Sequence, residues 1–403
     1  MANVIVFHEL KSFLPSLLNR DEDGFGKQVV VGGTTRARIS SQCMKRAIRF
    51  TSAINASIRT THAEDLVEAV LNDLIAKGTV NESDFDKFGK EICELLNCKW
   101  DLRSSLGKKS KDDEGKGRTV LVATPAEITA IINAYLGADK DKKKAVEEAL
   151  KTIAISTDKA MFGTMATGGV IESVDAAVGM SHAISIDEYS PENDFISATF
   201  NRGDVDRSDP FFGLYEDFAN TREKAPGAGT LADSWLNSNT MYLSSYVNVD
   251  QLVDNLSKSV LGTDLGLSKE DIVDKTKDTI GDYATAFPIS DPCAKQTSAA
   301  SHPAPDIYYI EAIKDGNVQD MGNMFTSVVS NKSDKSVPEQ GIERMLDAVS
   351  CTDFRTGDIN RYVMLSAPYK KYAEDFEKLG VKVVTSLKEL KEIMEAETER
   401  LSA

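Results

Sequence analysis

No long apolar run, no paired cysteines and no histidine cluster mark this chain of 403 residues. Nothing approaches the ~20 apolar residues that a helical membrane span needs, and the first residues lack the basic start and apolar core of a secretory signal. A cytoplasmic protein with no membrane partner is expected. The five cysteines (Cys43, Cys93, Cys98, Cys293, Cys351) are odd in number, scattered and without C-x-x-C spacing, which argues against a zinc site. Cys93 and Cys98 stand at a helical spacing that puts them on different faces, so free core thiols are expected. The four histidines (His8, His62, His182, His302) are equally dispersed. No metal and no cofactor is expected.

Two phosphate- or cation-binding loops are also missing. A calcium loop beginning at Asp21 would need a glutamate at its twelfth position, where Gly32 stands. A P-loop ending in Gly26-Lys27 would need glycine and Ser/Thr where Asp21 and Gln28 stand.

What is present is a basic segment in an acidic chain. The composition, 41% hydrophobic and 27% charged, is ordinary for a soluble globular protein, and the length allows two or three structural units. The net charge is −16, yet residues 1–60 hold nine Lys and Arg against four Asp and Glu, a net of +5. Seven cations (Arg20, Lys27, Arg36, Arg38, Lys45, Arg46, Arg49) lie between Leu18 and Arg49, on what reads as a loop, a short strand, a Gly-Gly turn and a helix start. Ser40 and Ser41 are good N-cap residues. Gln42, Lys45, Arg46 and Arg49 recur at helical spacings of three and four and share one face. The helix N-terminus offers unpaired N–H groups and partial positive charge, and Gly32 and Gly33 let backbone approach a phosphate closely. Such a surface suits a polyanion. The alternative is an ordinary solvated helix face; the charge asymmetry weighs against it.

These residues also carry a resemblance. The runs LNRDEDG, GKQVVVGG, RARISSQ and KRAIR, in this order, with KAMFGTMATGG at 159–169, DFISAT at 194–199, YLSSYVNVDQLVDNL at 242–256 and PCAKQTSAASHPAPD at 292–306, resemble the CasC family. That family, of the RAMP superfamily, is the repeated crRNA-binding backbone subunit of type I-E CRISPR Cascade. The resemblance spans residues 1 to about 330 and loosens over the last 70. It implies an α+β fold: a ferredoxin-like (RRM-like) palm in residues 1–58, 158–190 and 241–403, an inserted helical fingers domain in 59–157, and an extended β-hairpin thumb in 191–240.

It also implies roles. Met165 and Thr167 would form a turn lying against the guide RNA, although an ordinary turn with a core methionine remains open; Thr164 stands where relatives often carry arginine. Lys295 and Gln296 would contact the guide backbone. Phe195, Ile196 and Phe200 would begin the thumb, which wedges into the guide so that a base flips out. Lys140, Lys142, Lys143 and Lys144 would guide incoming duplex DNA. At a helix start, four lysines oppose the macrodipole by a few tenths of a kcal/mol each, and the alternative is a solvated face paired locally with Asp139, Asp141, Glu147 and Glu148.

Periodicity alone supports α+β. Residues 2–8 read as an opening strand, 62–136 as helices with stripes at Leu66, Val70, Leu71, Leu74 and at Phe85, Phe88, Ile92, Leu95, Leu96, 101–119 as an exposed loop, and 241–249 as a strand before helices at 250–261 and 268–286. Strands at 361–366 and 381–385 alternate with helices at 368–379 and 386–401, the last with plain i, i+4 pairing.

The expected function is a non-catalytic RNA-binding scaffold whose copies assemble along a CRISPR guide RNA and present its bases to target DNA. Other Cascade subunits and an effector nuclease-helicase would be its further partners. Two alternatives stand: an endoribonuclease, for which His8, Asp21 and Asp23 are the local acid-base candidates, and a free-standing single-stranded RNA-binding protein. Charge reversal at Lys45 plus Arg49 is expected to abolish RNA retention without unfolding.

Overall fold

The computed structural model describes residues 2–50, 58–60, 63–100, 121–165, 169–198, 230–330, 332–351 and 354–402. The first strand, β1 (Ala2–Ser12), is buried over most of its length because it lies inside a nine-stranded sheet. Its side chains alternate between faces: Ile5 and Phe7 enter one apolar core and Leu10 another on the opposite face. A strand covered on both sides carries no polar alternation, which explains the nearly continuous apolar run in ANVIVFH.

A hairpin of β2 (Gln28–Val31) and β3 (Thr34–Ile39) forms one sheet edge. Gly32 and Gly33 join the strands at φ 57° and 79°, the paired positive values of a turn whose twist matches the flanking strands. Helix α1 (Ser41–Arg49) follows, with Met44 and Ile48 buried against the sheet.

A helical block comes next. It contains β4 (Ile58–Thr60), α2 (Ala63–Ala76), α3 (Phe85–Leu95), β5 (Leu121–Ala123), α4 (Pro125–Gly137) and α5 (Lys142–Leu150), with β4 antiparallel to β5. Leu71, Leu74, Ile92, Leu96, Ile131, Tyr135 and Leu150 make a core separate from the sheet's, so the apolar stripes of α2 and α3 face it. A capping box of Thr124 and Glu127 opens α4. Glu127 also accepts, at 2.6 and 2.7 Å, from the ammonium of Lys159 on α6 (Thr157–Phe162), both side chains being about 1% exposed. This buried, fully engaged pair fastens the block to the sheet domain.

The chain then adds β6 (Val178–Met180), β7 (Ala183–Ser185), a separate hairpin of β8 (Glu192–Ala198) with β9 (Thr230–Leu236), and β10 (Thr240–Asn248). After them run α7 (Val249–Leu256), α8 (Lys269–Ala286), the short α9 (Gln296–Ala299), β11 (Ile307–Gly316), α10 (Val337–Ser350), β12 (Asp358–Leu365), α11 (Ala373–Lys378), β13 (Lys382–Val383) and α12 (Leu387–Ser402). The sheet order is β13-β12-β11-β1-β10-β7-β3-β2, with β6 also on β10; among the described residues only β12 and β13 pair in parallel. Helices α1, α7, α8 and α12 cover one face, and α10 and α11 the other. This is an α+β fold built on one large mixed sheet.

Several expectations change. Cys93 and Cys98 do not point apart. Asn97 takes a left-handed conformation (φ 53°), ends α3, and folds Cys98 back so that its N–H donates to Cys93 O at 2.9 Å. The two thiols hydrogen-bond to each other, which pushes Cys93 up and Cys98 down from the ordinary range. In α12 the pairing is not purely local: Glu397 is buried and accepts from Tyr362 Oη at 2.5 Å and Asn360 Nδ2 at 2.7 Å as well as from Arg400. The expected helix at 368–379 divides into a tight turn and α11. The expected loop at 101–119 lies outside the described residues. Among the described residues no helix is long and apolar enough to cross a membrane, and no group of three or more His, Cys, Asp and Glu could hold a metal ion.

Candidate nucleic-acid interface

The basic segment begins as a tight loop. Arg20 bridges Gly26, Asp21 N–H donates to Phe25 O at 2.9 Å, and Asp21 Oδ1 accepts from Phe25 N–H at 2.9 Å and Asp23 N–H at 3.1 Å. A side chain at Gly26 would meet Tyr189 Oη at 2.8 Å, so the loop base has no slack. Asn19 links loop to helix by accepting from Ser40 N–H at 3.0 Å, while Lys27 N–H donates to Asn19 O. Arg20 is exposed and Lys27 half-buried. Beneath them Lys27, Arg38, Tyr189, Asn237 and Asn239 help line a cavity of about 30 Å³, room for one water-sized group.

The N-terminus of α1 is less open than its sequence implies. Ser40 Oγ caps Cys43 N–H at 3.3 Å, and His182 Nδ1 accepts from Ser41 N–H at 3.0 Å. On the helix face Gln42 and Arg46 are exposed, and Lys45 and Arg49 half-buried. Lys45 Nζ donates to Val178 O at 3.2 Å. Arg49 forms a two-pronged pair with the fully buried carboxylate of Asp158 on α6. Charge reversal there would set two carboxylates together in the interior, so the Lys45 plus Arg49 variant expected to stay folded would instead strike the core. Arg46 lies over the Phe50 ring at 4.5 Å from its centroid and donates to Cys293 Sγ at 3.4 Å.

Three expected ligands are engaged by this chain's own backbone. Arg36 is fully buried, donating to Ser185 O at 2.7 Å, Phe325 O at 3.0 Å and Thr326 O at 3.3 Å. Burial lowers its pKa. Its charge is spent on carbonyls that hold segment 322–328 under the β2–β3 hairpin. Gly32 serves the same packing: a Cβ there would fall 1.9 Å from Thr326 O. The close approach its small size permits is to this chain's own backbone, whereas Gly33 faces open space. Gln296 staples its own loop, donating to Pro292 O and Ser301 O and accepting from Ser301 N–H at 2.8 Å.

Lys295, left-handed at φ 53°, donates from Nζ to Ser234 Oγ on β9 at 2.7 Å. The adjacent Trp235 packs its ring against Phe25 of the basic loop, centroids 6.1 Å apart. Loop 19–27, α1, turn 292–296 and the foot of the β8–β9 hairpin are thus joined through Asn19–Ser40, Arg46–Cys293, Lys295–Ser234 and Phe25–Trp235. Asn19, Ser234, Trp235 and Cys293 have no assigned role in the sequence; each becomes part of the surface through a partner distant in sequence.

The other residues lie elsewhere. Met165 is 83% exposed, just inside the loop closed by the bridge of Thr164 to Val174, and Thr167 is outside the described residues. Phe195 and Ile196 sit on β8 opposite Asp233 and Ala232, and Phe200 is outside the described residues. Lys140, Lys143 and Lys144 are exposed at the start of α5. Lys142 is half-buried, its ammonium 3.9 Å from the Tyr135 ring centroid and 3.7 Å from Glu91; Lys143 lies 3.8 Å from Glu147 and Asp141 caps Lys144 N–H. His8 is buried in the sheet, 2.9 Å from Tyr242 Oη and 3.9 Å from Glu311. Burial, then Arg355, lowers its pKa to about 3. It does not meet Asp21, whose carboxylate closes the surface loop.

No curated protein matches the chain. Among solved structures, one described as "CRISPR RNA-guided surveillance complex, pre-nicking" has a similar chain at 19% identity and a TM-score of 0.73, covering 98% of this chain and 100% of that one. Another, "CRISPR RNA-guided surveillance complex", is similar at 17% identity and 0.64, covering 98% and 99%. These likenesses concern the fold. The model of the Cas family of CT1975-like proteins matches residues 5–393, and the chain belongs to that family.

Proposed function

We propose that this chain is a non-catalytic, CasC-type backbone subunit of a type I-E Cascade complex, binding CRISPR guide RNA along its phosphates. The observation that carries the reading is the convergence of loop 19–27, α1 and turn 292–296 on one surface. That surface bears Arg20, Lys27, Lys45, Arg46 and Lys295 in an otherwise acidic chain. Family membership and the fold of surveillance-complex chains support it. In this reading the sheet domain is a ferredoxin-like palm (1–58, 158–190, 241–403), residues 59–157 are fingers, and 191–240 a thumb reaching over the next copy. Arg36, Gly32 and Gln296 support the grip by holding this chain's own backbone rather than by touching RNA.

Phosphate contacts position a strand without reading it, so any guide sequence is accepted and its bases remain for target DNA. Lys140, Lys143 and Lys144, exposed on the fingers, would meet duplex DNA. Further copies, other Cascade subunits and an effector nuclease-helicase complete the assembly, in the cytoplasm. About six phosphates neutralised per subunit give a log-log salt slope of roughly −4.

The test is purification of the chain co-expressed with a CRISPR array and its neighbouring gene products. A ribonucleoprotein with several copies per RNA of uniform length is expected. The double variant Arg20→Glu/Arg46→Glu should lose RNA while keeping its melting temperature, since both side chains are exposed. A nucleic-acid-free wild-type monomer, or full RNA occupancy by the variant, overturns the reading.

A further inference from the structure

The foot of the β8–β9 hairpin holds an aromatic pair that the phosphate grip does not use. Phe25 is 45% exposed and Trp235 half-buried, their ring planes inclined at 49°. Phe25 is no loose loop residue. Its N–H and C=O are both bonded to Asp21, and the next residue, Gly26, is wedged against Tyr189. Trp235 is fixed by strand pairing with Asn193 and by its neighbour Ser234, which is buried and bonded to Lys295. Exposing an apolar ring costs about 25 cal/mol per Å² left in water, and here both rings are held in place, Phe25 within the loop that carries Arg20 and Lys27. Phe50, also exposed, carries the Arg46 guanidinium over one face of its ring.

We propose that Phe25 and Trp235 form a stacking platform for one nucleobase of the bound strand. The loop also carries exposed Glu22 and Asp23, so its charge alone would not draw a polyanion. Stacking on a π-face does not depend on charge or on base identity. The occupant is thus a base of single-stranded RNA whose flanking phosphates lie on the loop cations Arg20 and Lys27. The inference rests on the RNA-binding reading and adds to it a contact with a base, in a position that tolerates any base.

Trp235 and Trp100 are the only tryptophans, so full-length Trp100→Phe protein reports Trp235 emission alone. A short oligouridylate should quench it, and an abasic oligoribonucleotide of equal length should not. Phe25→Ala and Trp235→Ala should each weaken oligouridylate binding by about tenfold, within the range known for base–aromatic stacking. Abasic binding should be unchanged, and Trp235→Phe should restore affinity. Equal losses on both strands, or oligouridylate binding without quenching, overturn the platform while leaving the phosphate grip standing. Failure of either strand to bind wild-type protein overturns the RNA reading and the platform with it.

Discussion

Two basic clusters that look alike in sequence have different fates in the fold. Of the seven cations between Arg20 and Arg49, Arg36 is wholly internal and Arg49 is clamped to buried Asp158, while Arg20 and Arg46 stay exposed. The cluster at 140–144 has no buried member: Lys142 rests on Tyr135, Lys143 lies near Glu147, and Lys140 and Lys144 face solvent. The first cluster is partly framework and partly surface, and the second is surface throughout. A count of charges cannot separate these roles; the partners do.

The sharpest way to break the comparison is to remove the internal members. Arg49→Ala takes from Asp158 its charged partner, and breaking a buried pair costs about 3–5 kcal/mol. Arg36→Ala withdraws donors from three carbonyls, at about 1–3 kcal/mol for each left buried. Arg46→Ala and Lys144→Ala should stay within about 0.5 kcal/mol of wild type. Denaturant midpoints decide the matter, and equal midpoints for Arg49→Ala and Arg46→Ala would erase the distinction.

A smaller effect comes from a buried charge behind the interface. Glu9 on β1 is 3% exposed; burial pushes its carboxyl up to about 8, with Lys11 pulling down and Asp291 adding to the rise. Because the folded value exceeds the unfolded one, the stability linked to protonated Glu9 is complete below about 4.5 and is lost as pH rises through about 8. Glu9→Gln should melt above wild type at pH 8, and the gap should close toward pH 4.5. A gap independent of pH would mean that Glu9 does not titrate with folding.

The smallest effect belongs to the second cluster. Lys140→Glu/Lys143→Glu/Lys144→Glu should leave guide retention and melting temperature alone. It should weaken duplex DNA binding, the salt slope falling by about 0.9 for each phosphate no longer neutralised. Filter binding across a salt series measures this, and an unchanged slope would return these lysines to an ordinary solvated face.

The sequence made much of the fold legible where structure is set locally. The cap at Ser40, the stripes of α2 and α3, and strand β10 followed by α7 and α8 all follow from neighbours within a turn or two. Strand β3 was harder. Ala37 and Ile39 alternate with Arg36 and Arg38 as a half-buried strand should, but the run of cations suggested surface. What makes Arg36 internal is three carbonyls from residues 185, 325 and 326, which no local pattern marks. Gly32 was recognised as a place of close approach, yet its neighbour, Thr326 O, lies almost three hundred residues away in the chain. A separation of 61 residues likewise concealed the link from Lys295 to the hairpin through Ser234.

The central position of β1 has a consequence for biogenesis. Val4 pairs with Asn248 on one side and Ile313 on the other, so this strand leaves the ribosome without either neighbour and waits for about 240 further residues to be made. At about 5–20 residues per second, those intervening ~240 residues take roughly 12–50 s. During that interval Val4 to Leu10 is an unpaired apolar segment, suited to a chaperone and prone to self-association, and the basic hairpin has no sheet to lean on. On the proposed function, guide RNA is gripped after translation rather than during it, and shortage of chaperone should lower the yield of folded chain.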